Sequence, residues 1–258
     1  MENEFNYQRD KVDVRDIRYT ADVYPKTDIV IPKTIDLRPN CPHVYNQGDL
    51  GSCTANAGCT CRSMLLNNNQ SDLSRLFLYY VERKMKDNVT KDAGASLRDT
   101  CKAIHKRGVC EEKYMPYNID KFAKKPSQEA YHNANKYKIT AYKTLGSLDE
   151  IKQSLALRMQ PVLIGMDVYK SFKSEEVAKT GIMTMPKEGD EKLGGHAVLV
   201  VGYKDTVKKC GRVIKHKVKS GYLIVRNSWG SEWGDKGYFY MPYKYVYLKH
   251  TFDYWIME

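Results

Sequence analysis

Apolar residues recur at helical spacing in three parts of the first half of the chain. They predict helices over residues 53–67, 74–86 and 93–108, and the third ends at a glycine that suits a helix C-cap. A polar stretch follows and extends to residue 136. We therefore expect the first half of the chain to be mainly helical.

The second half of the chain begins with one more helix and then changes to β-structure. Residues 147–159 are amphipathic, with Ser147 as the N-cap and Glu150 at the capping-box position. Four apolar runs predict buried strands, at residues 161–166, 197–203, 221–226 and 238–242. Together the two halves indicate an α+β fold, and ligand clefts often lie between such halves.

One thiol stands directly after a glycine-rich turn and at the start of the first predicted helix. This is Cys53, in the run QGDLGSCTANA that begins at Gln47. The positive end of a helix dipole lowers the pKa of a thiol, and the thiolate is the nucleophilic form. The Gln47 amide and the backbone N–H of Cys53 are candidates for stabilising an oxyanion. Alone this signal is weak, because free cysteines are usually buried and inert.

Two distant segments supply the partners that a nucleophilic thiol needs. His196 stands at the mouth of an apolar strand in the run GGHAVLVVGY, where a general base would be held rigidly. Asn227 precedes Ser228 and Trp229 in the run NSWGSEWGDKGYF. Its amide would orient the imidazole, and the tryptophan would cover that hydrogen bond.

The chain order Gln47, Cys53, His196, Asn227 resembles that of the papain-like cysteine peptidases, over roughly residues 32–258. The resemblance implies a two-lobed fold with a mainly helical lobe at about residues 50–140 and a β-barrel-like lobe at about residues 141–258. The active-site cleft would lie between the lobes. The implied activity is endopeptidase cleavage of peptide or protein substrates through a thiolate–imidazolium pair and an acyl-enzyme, with no cofactor and no metal.

The same resemblance implies substrate-binding roles for four residues. Gly94 would let extended substrate backbone lie close to the enzyme, because it has no Cβ. Gly165 would form a wall of the main specificity pocket, which we expect to accept a bulky apolar or aromatic side chain. Gly195 and Trp229 complete the set.

Two residues near the thiol depart from the family pattern. Leu50 stands where the family usually has a disulfide-bonded cysteine, and Thr54 stands where an aromatic residue usually follows the nucleophile. These departures leave a second interpretation open, in which the chain is a catalytically inactive papain-fold binding or structural protein. The intact Gln47, Cys53, His196 and Asn227 favour an active enzyme.

Cysteine use and hydropathy bear on the compartment. Seven cysteines at irregular spacing suit a reducing compartment better than a disulfide scaffold. No apolar run approaches the ~20 residues of a membrane span, and residues 1–35 contain no apolar core of a signal peptide. We expect a monomer without a membrane span, located inside a cell or carried inside a particle.

The formal net charge is +11 and the pI is about 9.1. Lysines are spread along the whole chain, and the densest cluster, at residues 204–219, predicts a solvated hairpin tip between two strands. Because no nucleic-acid motif accompanies this charge, we expect no specific nucleic-acid partner. Nonspecific binding of polyanions is left open.

Residues 1–33 form a leader ahead of the expected peptidase domain at residues 34–258. The leader is shorter than the inhibitory prosegments of the family. Its apolar residues predict a strand-like segment that docks on the body and obstructs the cleft, and a disordered tail is the alternative. Seven residues are the expected anchors: Tyr7, Val12, Val14, Ile17, Tyr19, Val23 and Tyr24.

Overall fold

The computed structural model of the chain describes residues 5–19, 30–66, 72–206 and 220–258. Two sequence expectations therefore lie outside the described residues, namely most of the lysine-rich hairpin tip and the leader anchors Val23 and Tyr24. Within the described ranges, every helix is too short or too polar to cross a membrane.

Four helices form the first half of the body: α1 Cys53–Leu65, α2 Arg75–Lys84, α3 Leu97–Arg107 and α4 Gln128–Ala134. Serine side chains cap three of them: Ser74 accepts a hydrogen bond from the N–H of Phe77, Ser96 from that of Asp99 and Ser127 from that of Ala130. Helix α1 is buried along nearly its whole length because α2 and α3 pack against it on one side and the sheet on the other.

Seven strands form one antiparallel sheet: β1 Thr34–Asp36, β2 Tyr142–Leu145, β3 Val162–Tyr169, β4 Lys192–Thr206, β5 Ser220–Arg226, β6 Tyr238–Pro242 and β7 Thr251–Met257. The strand order is β2-β7-β3-β4-β5-β6, and β1 pairs with β4. Three helices connect the strands: α5 Leu148–Arg158, α6 Glu175–Thr180 and α7 Tyr243–Tyr247. The long strand β4 pairs with both β3 and β5 and packs against α1.

The predicted α+β fold, helical first and antiparallel β afterwards, is confirmed. Sequence reasoning missed α4 in the polar stretch, where only Ala130, Asn133 and Ala134 are buried. It also missed β7, whose alternation of apolar and polar residues is interrupted near Asp253. Both elements are stabilised by tertiary contacts that the local pattern does not display.

Thr54, which stands where the family usually has an aromatic residue, forms a hydrogen bond within the helical core. The hydroxyl of Thr54 on α1 donates a hydrogen bond of 2.8 Å to Oε2 of Glu82 on α2. The hydroxyl of Thr100 on α3 donates one of 2.6 Å to Oε1 of the same carboxyl. Glu82 is 1% exposed, and this burial raises the pKa of its side chain to about 8. One buried acid thus connects three helices directly behind the predicted nucleophile.

This raised pKa predicts a pH-dependent stability. Between about pH 4.5, the ordinary pKa of Glu, and about pH 8, the folded protein keeps a proton on Glu82 that the unfolded chain releases. The free energy of unfolding therefore falls as pH rises, by up to about 1.4 kcal/mol per pH unit from this group. We expect Glu82→Gln, which is neutral throughout, to flatten that decline. Denaturant titrations at several pH values measure it.

The matched control is Glu129→Gln, at an exposed position on α4. This variant should follow the same pH profile as the unsubstituted chain. If the free energy of unfolding of Glu82→Gln fell with pH as steeply as that of the unsubstituted chain and of Glu129→Gln, Glu82 would already be ionised in the folded protein at neutral pH.

Candidate active site

The structure brings the predicted nucleophile and the predicted base together where α1 meets β4. Cys53 is the first residue of α1, and His196 lies within β4. The thiol of Cys53 lies against the backbone N–H of Ala197, the residue that follows His196. This N–H and those of Cys53 and Thr54 favour the thiolate, because each is a hydrogen-bond donor to it.

The imidazole of His196 is held in one orientation by Asn227. The distance from His196 Nε2 to Asn227 Oδ1 is 2.9 Å. The backbone N–H of Ser228 donates to the same Oδ1 at 2.9 Å, so the amide presents its oxygen to the ring. Nε2 must then carry the proton and donate it, and Nδ1 is the basic nitrogen. Among the described residues Nδ1 has no hydrogen-bond partner, which leaves it available to accept a proton.

Trp229 shields this pair from solvent. Its ring stacks on His196 with a centroid distance of 5.3 Å and an interplanar angle of 28°. His196 is 1% exposed and Asn227 is 3% exposed. The hydrogen bond between them is therefore formed in a region of low polarity, where it is stronger than in water.

Gln47 is fully buried beside the same segment. Its backbone N–H donates to the carbonyl of Ser228 at 2.8 Å, and its Oε1 accepts from the Ser228 hydroxyl at 2.6 Å. Its Nε2 donates to the carbonyl of Leu50 at 3.0 Å. One of the two hydrogens on Nε2 is used in that bond, and the second is left for another acceptor. Sequence reasoning did not single out Ser228, although it directly follows Asn227.

The leader covers this site. Asn6 forms a parallel bridge with Gly195, in which the Tyr7 N–H donates to Gly195 O at 3.4 Å and the Gly195 N–H donates to Phe5 O at 3.3 Å. The ring of Phe5 stands edge-on to His196, at a centroid distance of 6.1 Å, and to Trp229, at 6.0 Å. The chain's own N-terminal segment thus lies against the predicted base and its covering tryptophan.

All four residues predicted to bind substrate contact the leader. A Cβ added to Gly94 would lie 2.1 Å from the carbonyl oxygen of Asn6, and Gly94 has a φ of +67° that favours glycine. A Cβ on Gly165 would lie 2.9 Å from Cε1 of Tyr7. Gly195 and Trp229 make the contacts with Phe5 and Tyr7 described above. These four residues therefore mark the path of an extended segment through the cleft.

The anchors of the leader differ in part from those expected. Tyr7 and Tyr19 are buried, at 7% and 4% exposure, but Val12 and Val14 are almost fully exposed and Ile17 is 60% exposed. The expectation for these three residues was wrong, because acidic residues of the leader attach this part of it to the body by ion pairs. Arg98 pairs with Asp16 at 2.5 Å and lies 3.8 Å from Asp10.

Burial in this covered site opposes the expected thiolate–imidazolium pair. Burial raises the pKa of the Cys53 thiol to about 12, despite the nearby backbone donors. Burial also lowers the pKa of His196 to about 4, although the bond to Asn227 opposes that shift. Both shifts have the same physical cause, since removing a group from water penalises its charged form. With the leader in place, burial therefore favours the neutral thiol and the neutral imidazole.

The described residues contain no group of three or more His, Cys, Asp or Glu side chains arranged to hold a metal ion. Six cysteines fall within the described ranges, and all six are free: Cys41, Cys53, Cys59, Cys61, Cys101 and Cys110.

Comparison with known proteins identifies the family. The pattern of the papain family cysteine proteases matches residues 31–250. An uncharacterised peptidase C1-like protein of Acanthamoeba polyphaga mimivirus is 37% identical over 268 aligned positions, covering 96% of this chain and 81% of that protein. The thiol protease aleurain of Arabidopsis thaliana is 39% identical over 101 positions, 38% of this chain and 24% of aleurain.

A solved structure agrees with these sequence matches. The crystal structure of xylellain, a cysteine protease from Xylella fastidiosa, superposes with a TM-score of 0.84 at 35% identity, covering 99% of this chain and 96% of xylellain. The chain therefore belongs to the papain family of cysteine proteases, hydrolases that act on peptide bonds.

Proposed function

We propose that this chain is an endopeptidase in which Cys53 is the nucleophile, His196 the general base and acid, and Asn227 the group that orients His196. The observation that carries the proposal is the geometry of His196. Its Nε2 is bound to Asn227 Oδ1 at 2.9 Å, and its Nδ1 is without a partner among the described residues. The thiol of Cys53 lies against the next residue of the same strand.

The chemistry follows from these positions. Nδ1 of His196 takes the thiol proton, and the Cys53 sulfur adds to the carbonyl carbon of the scissile peptide. The backbone N–H of Cys53 and the second hydrogen of Gln47 Nε2 stabilise the resulting oxyanion. The C–N bond then breaks as His196 protonates the leaving amine, and a thioester remains. Water, deprotonated by His196, hydrolyses that thioester and restores the thiol.

The leader, residues 1–33, acts in this proposal as an inhibitor of the domain at residues 34–258. Its residues 5–7 lie on Gly94, Gly165 and Gly195, so a substrate backbone has no access to those positions while the leader is docked. Its presence also keeps water from the catalytic pair, which favours the neutral forms. Release of the leader would remove both obstacles.

Loosening the leader should therefore activate the full-length chain. We expect Phe5→Ala combined with Tyr7→Ala to raise kcat/KM on a short fluorogenic peptide about tenfold or more, because these two side chains fill the cleft. The rate of alkylation of Cys53 by iodoacetamide at neutral pH should rise with it, since a better-hydrated thiol ionises more readily.

The control for leader loosening is Val12→Ala combined with Val14→Ala, at exposed positions of the same leader. This pair should leave both rates unchanged. If the Phe5 and Tyr7 substitutions changed neither rate, the leader would not obstruct the cleft in solution.

The catalytic roles predict a graded series in the chain with the loosened leader. Cys53→Ala should abolish peptide hydrolysis and His196→Ala should reduce it nearly as much, whereas Asn227→Ala should retain more activity because the base is still present. Circular dichroism would confirm that each variant is folded. His132→Ala, at an exposed position, should keep full activity. Hydrolysis that survived Cys53→Ala would exclude Cys53 as the nucleophile.

Gln47→Ala tests the oxyanion donor separately. We expect kcat to fall about 10²-fold with little change in KM, because the donor acts mainly on charge that develops in the transition state. Steady-state kinetics on the same peptide measure both constants. An unchanged kcat would assign the oxyanion to backbone donors alone.

A further inference from the structure

Tyr7 of the leader shows which chemistry one pocket of the cleft can accommodate. Its ring packs against Phe252 at a centroid distance of 5.7 Å and faces Gly165 on another side. Its hydroxyl donates a hydrogen bond of 2.7 Å to Oδ2 of Asp253. The pocket therefore combines apolar contacts around an aromatic ring with a carboxylate that accepts the hydrogen bond of the phenol hydroxyl.

A bulge in strand β7 places Asp253 in this position. Leu163 of β3 pairs with Trp255, and Gly165 pairs with Phe252, so β7 carries one extra residue between these two pairs. Asp253 lies in that bulge with a φ of +53°, which is unfavourable for most residues other than glycine, asparagine and aspartate. Such strain persists where the surrounding structure fixes it, and it is common at ligand-binding sites.

The hydrogen bonds to Asp253 come from the leader. Besides the Tyr7 hydroxyl, Oδ2 accepts the backbone N–H of Asp10 at 2.9 Å. Within the described part of the chain, no residue of the body donates to this carboxylate. When the leader leaves the cleft, this half-buried carboxylate therefore loses both of its protein donors, and a ligand that covers it again must replace them.

We infer that this pocket is a subsite that selects tyrosine in substrates and that Asp253 is its specificity-determining residue. The inference rests on the proposed endopeptidase function. A phenylalanine would fill the same apolar space but leave the carboxylate without a donor, which costs binding. Two guanidiniums contribute positive charge near Asp253: that of Arg9 leaves with the leader, and that of Arg98 stays on the body, so a basic side chain fits less well.

Peptide hydrolysis by the full-length Tyr7→Ala chain tests the selection of tyrosine. Matched peptides would differ only in carrying tyrosine, phenylalanine or lysine at one position, scanned through the residues on both sides of the cleaved bond. At one of these positions we expect kcat/KM for tyrosine to exceed that for phenylalanine and for lysine about tenfold or more. Equal rates for tyrosine and phenylalanine at every position, or a preference for lysine, would overturn the inference.

Two substitutions of Asp253 separate recognition from structural support. Asp253→Gly tolerates the positive φ and removes the acceptor, so the tyrosine peptide should fall to the rate of the phenylalanine peptide, which stays within about threefold of its original rate. Asp253→Asn also tolerates the φ and keeps one acceptor oxygen, so it should retain part of the preference. If Asp253→Gly lowered kcat/KM equally for both peptides, Asp253 would support the structure of the pocket and would not recognise the phenol hydroxyl.

A second measurement tests recognition of the phenol by Asp253 without peptide hydrolysis. In the full-length chain, Tyr7→Phe removes only the leader's phenol oxygen, so it should speed alkylation of Cys53 by iodoacetamide about tenfold when Asp253 is present. In the Asp253→Gly chain the same change should have no effect. An equal effect in both chains would overturn the role of Asp253. If no peptide were cleaved while this coupling was observed, the endopeptidase proposal would fail and the tyrosine pocket would stand.

Discussion

The packing of the α1 N-terminus against strand β4 is the contact on which the rest of the site depends. It brings the Cys53 thiol to the backbone of Ala197, one residue from His196. The neighbouring strand β5 then delivers Asn227 to the imidazole, and the turn before α1 delivers Gln47 to Ser228. In the proposed mechanism, helix and sheet thus each supply half of the catalytic groups.

That same burial shifts the ionisation of the pair, and in the proposed function it makes the leader more than a steric block. Nucleophilic attack needs a thiolate, yet a fully buried thiol and imidazole both favour their neutral forms. Under the proposed function, a segment that excludes water from the cleft therefore opposes catalysis twice, by occupying the substrate path and by raising the energy of the charged pair. Only the first effect requires the leader to lie where substrate binds.

Local sequence patterns predicted those parts of the structure that local forces determine. The periodicity of residues 53–67 and the run around His196 gave α1 and β4, and the spacing of the motifs gave the family. The bulge at Asp253 could not be predicted from local sequence, because it arises from the register between β3 and β7, two strands that are distant in the chain. The attachment of the leader was only half predicted, since Arg98 and the carboxylates it binds are adjacent in space but not in sequence.

The missing family disulfide shows how this chain stabilises the turn before the nucleophile by other means. Leu50, at the position of the usual cysteine, is apolar and buried. The turn is held instead by the three hydrogen bonds of Gln47 and by Tyr117, whose hydroxyl lies 2.9 Å from Gln47 O and 2.5 Å from Ser52 Oγ. The side-chain bonds of Gln47 are buried and those of Tyr117 partly buried, so breaking one of the Gln47 bonds would leave an unsatisfied polar group. That cost keeps the proposed oxyanion donor in place without a covalent link.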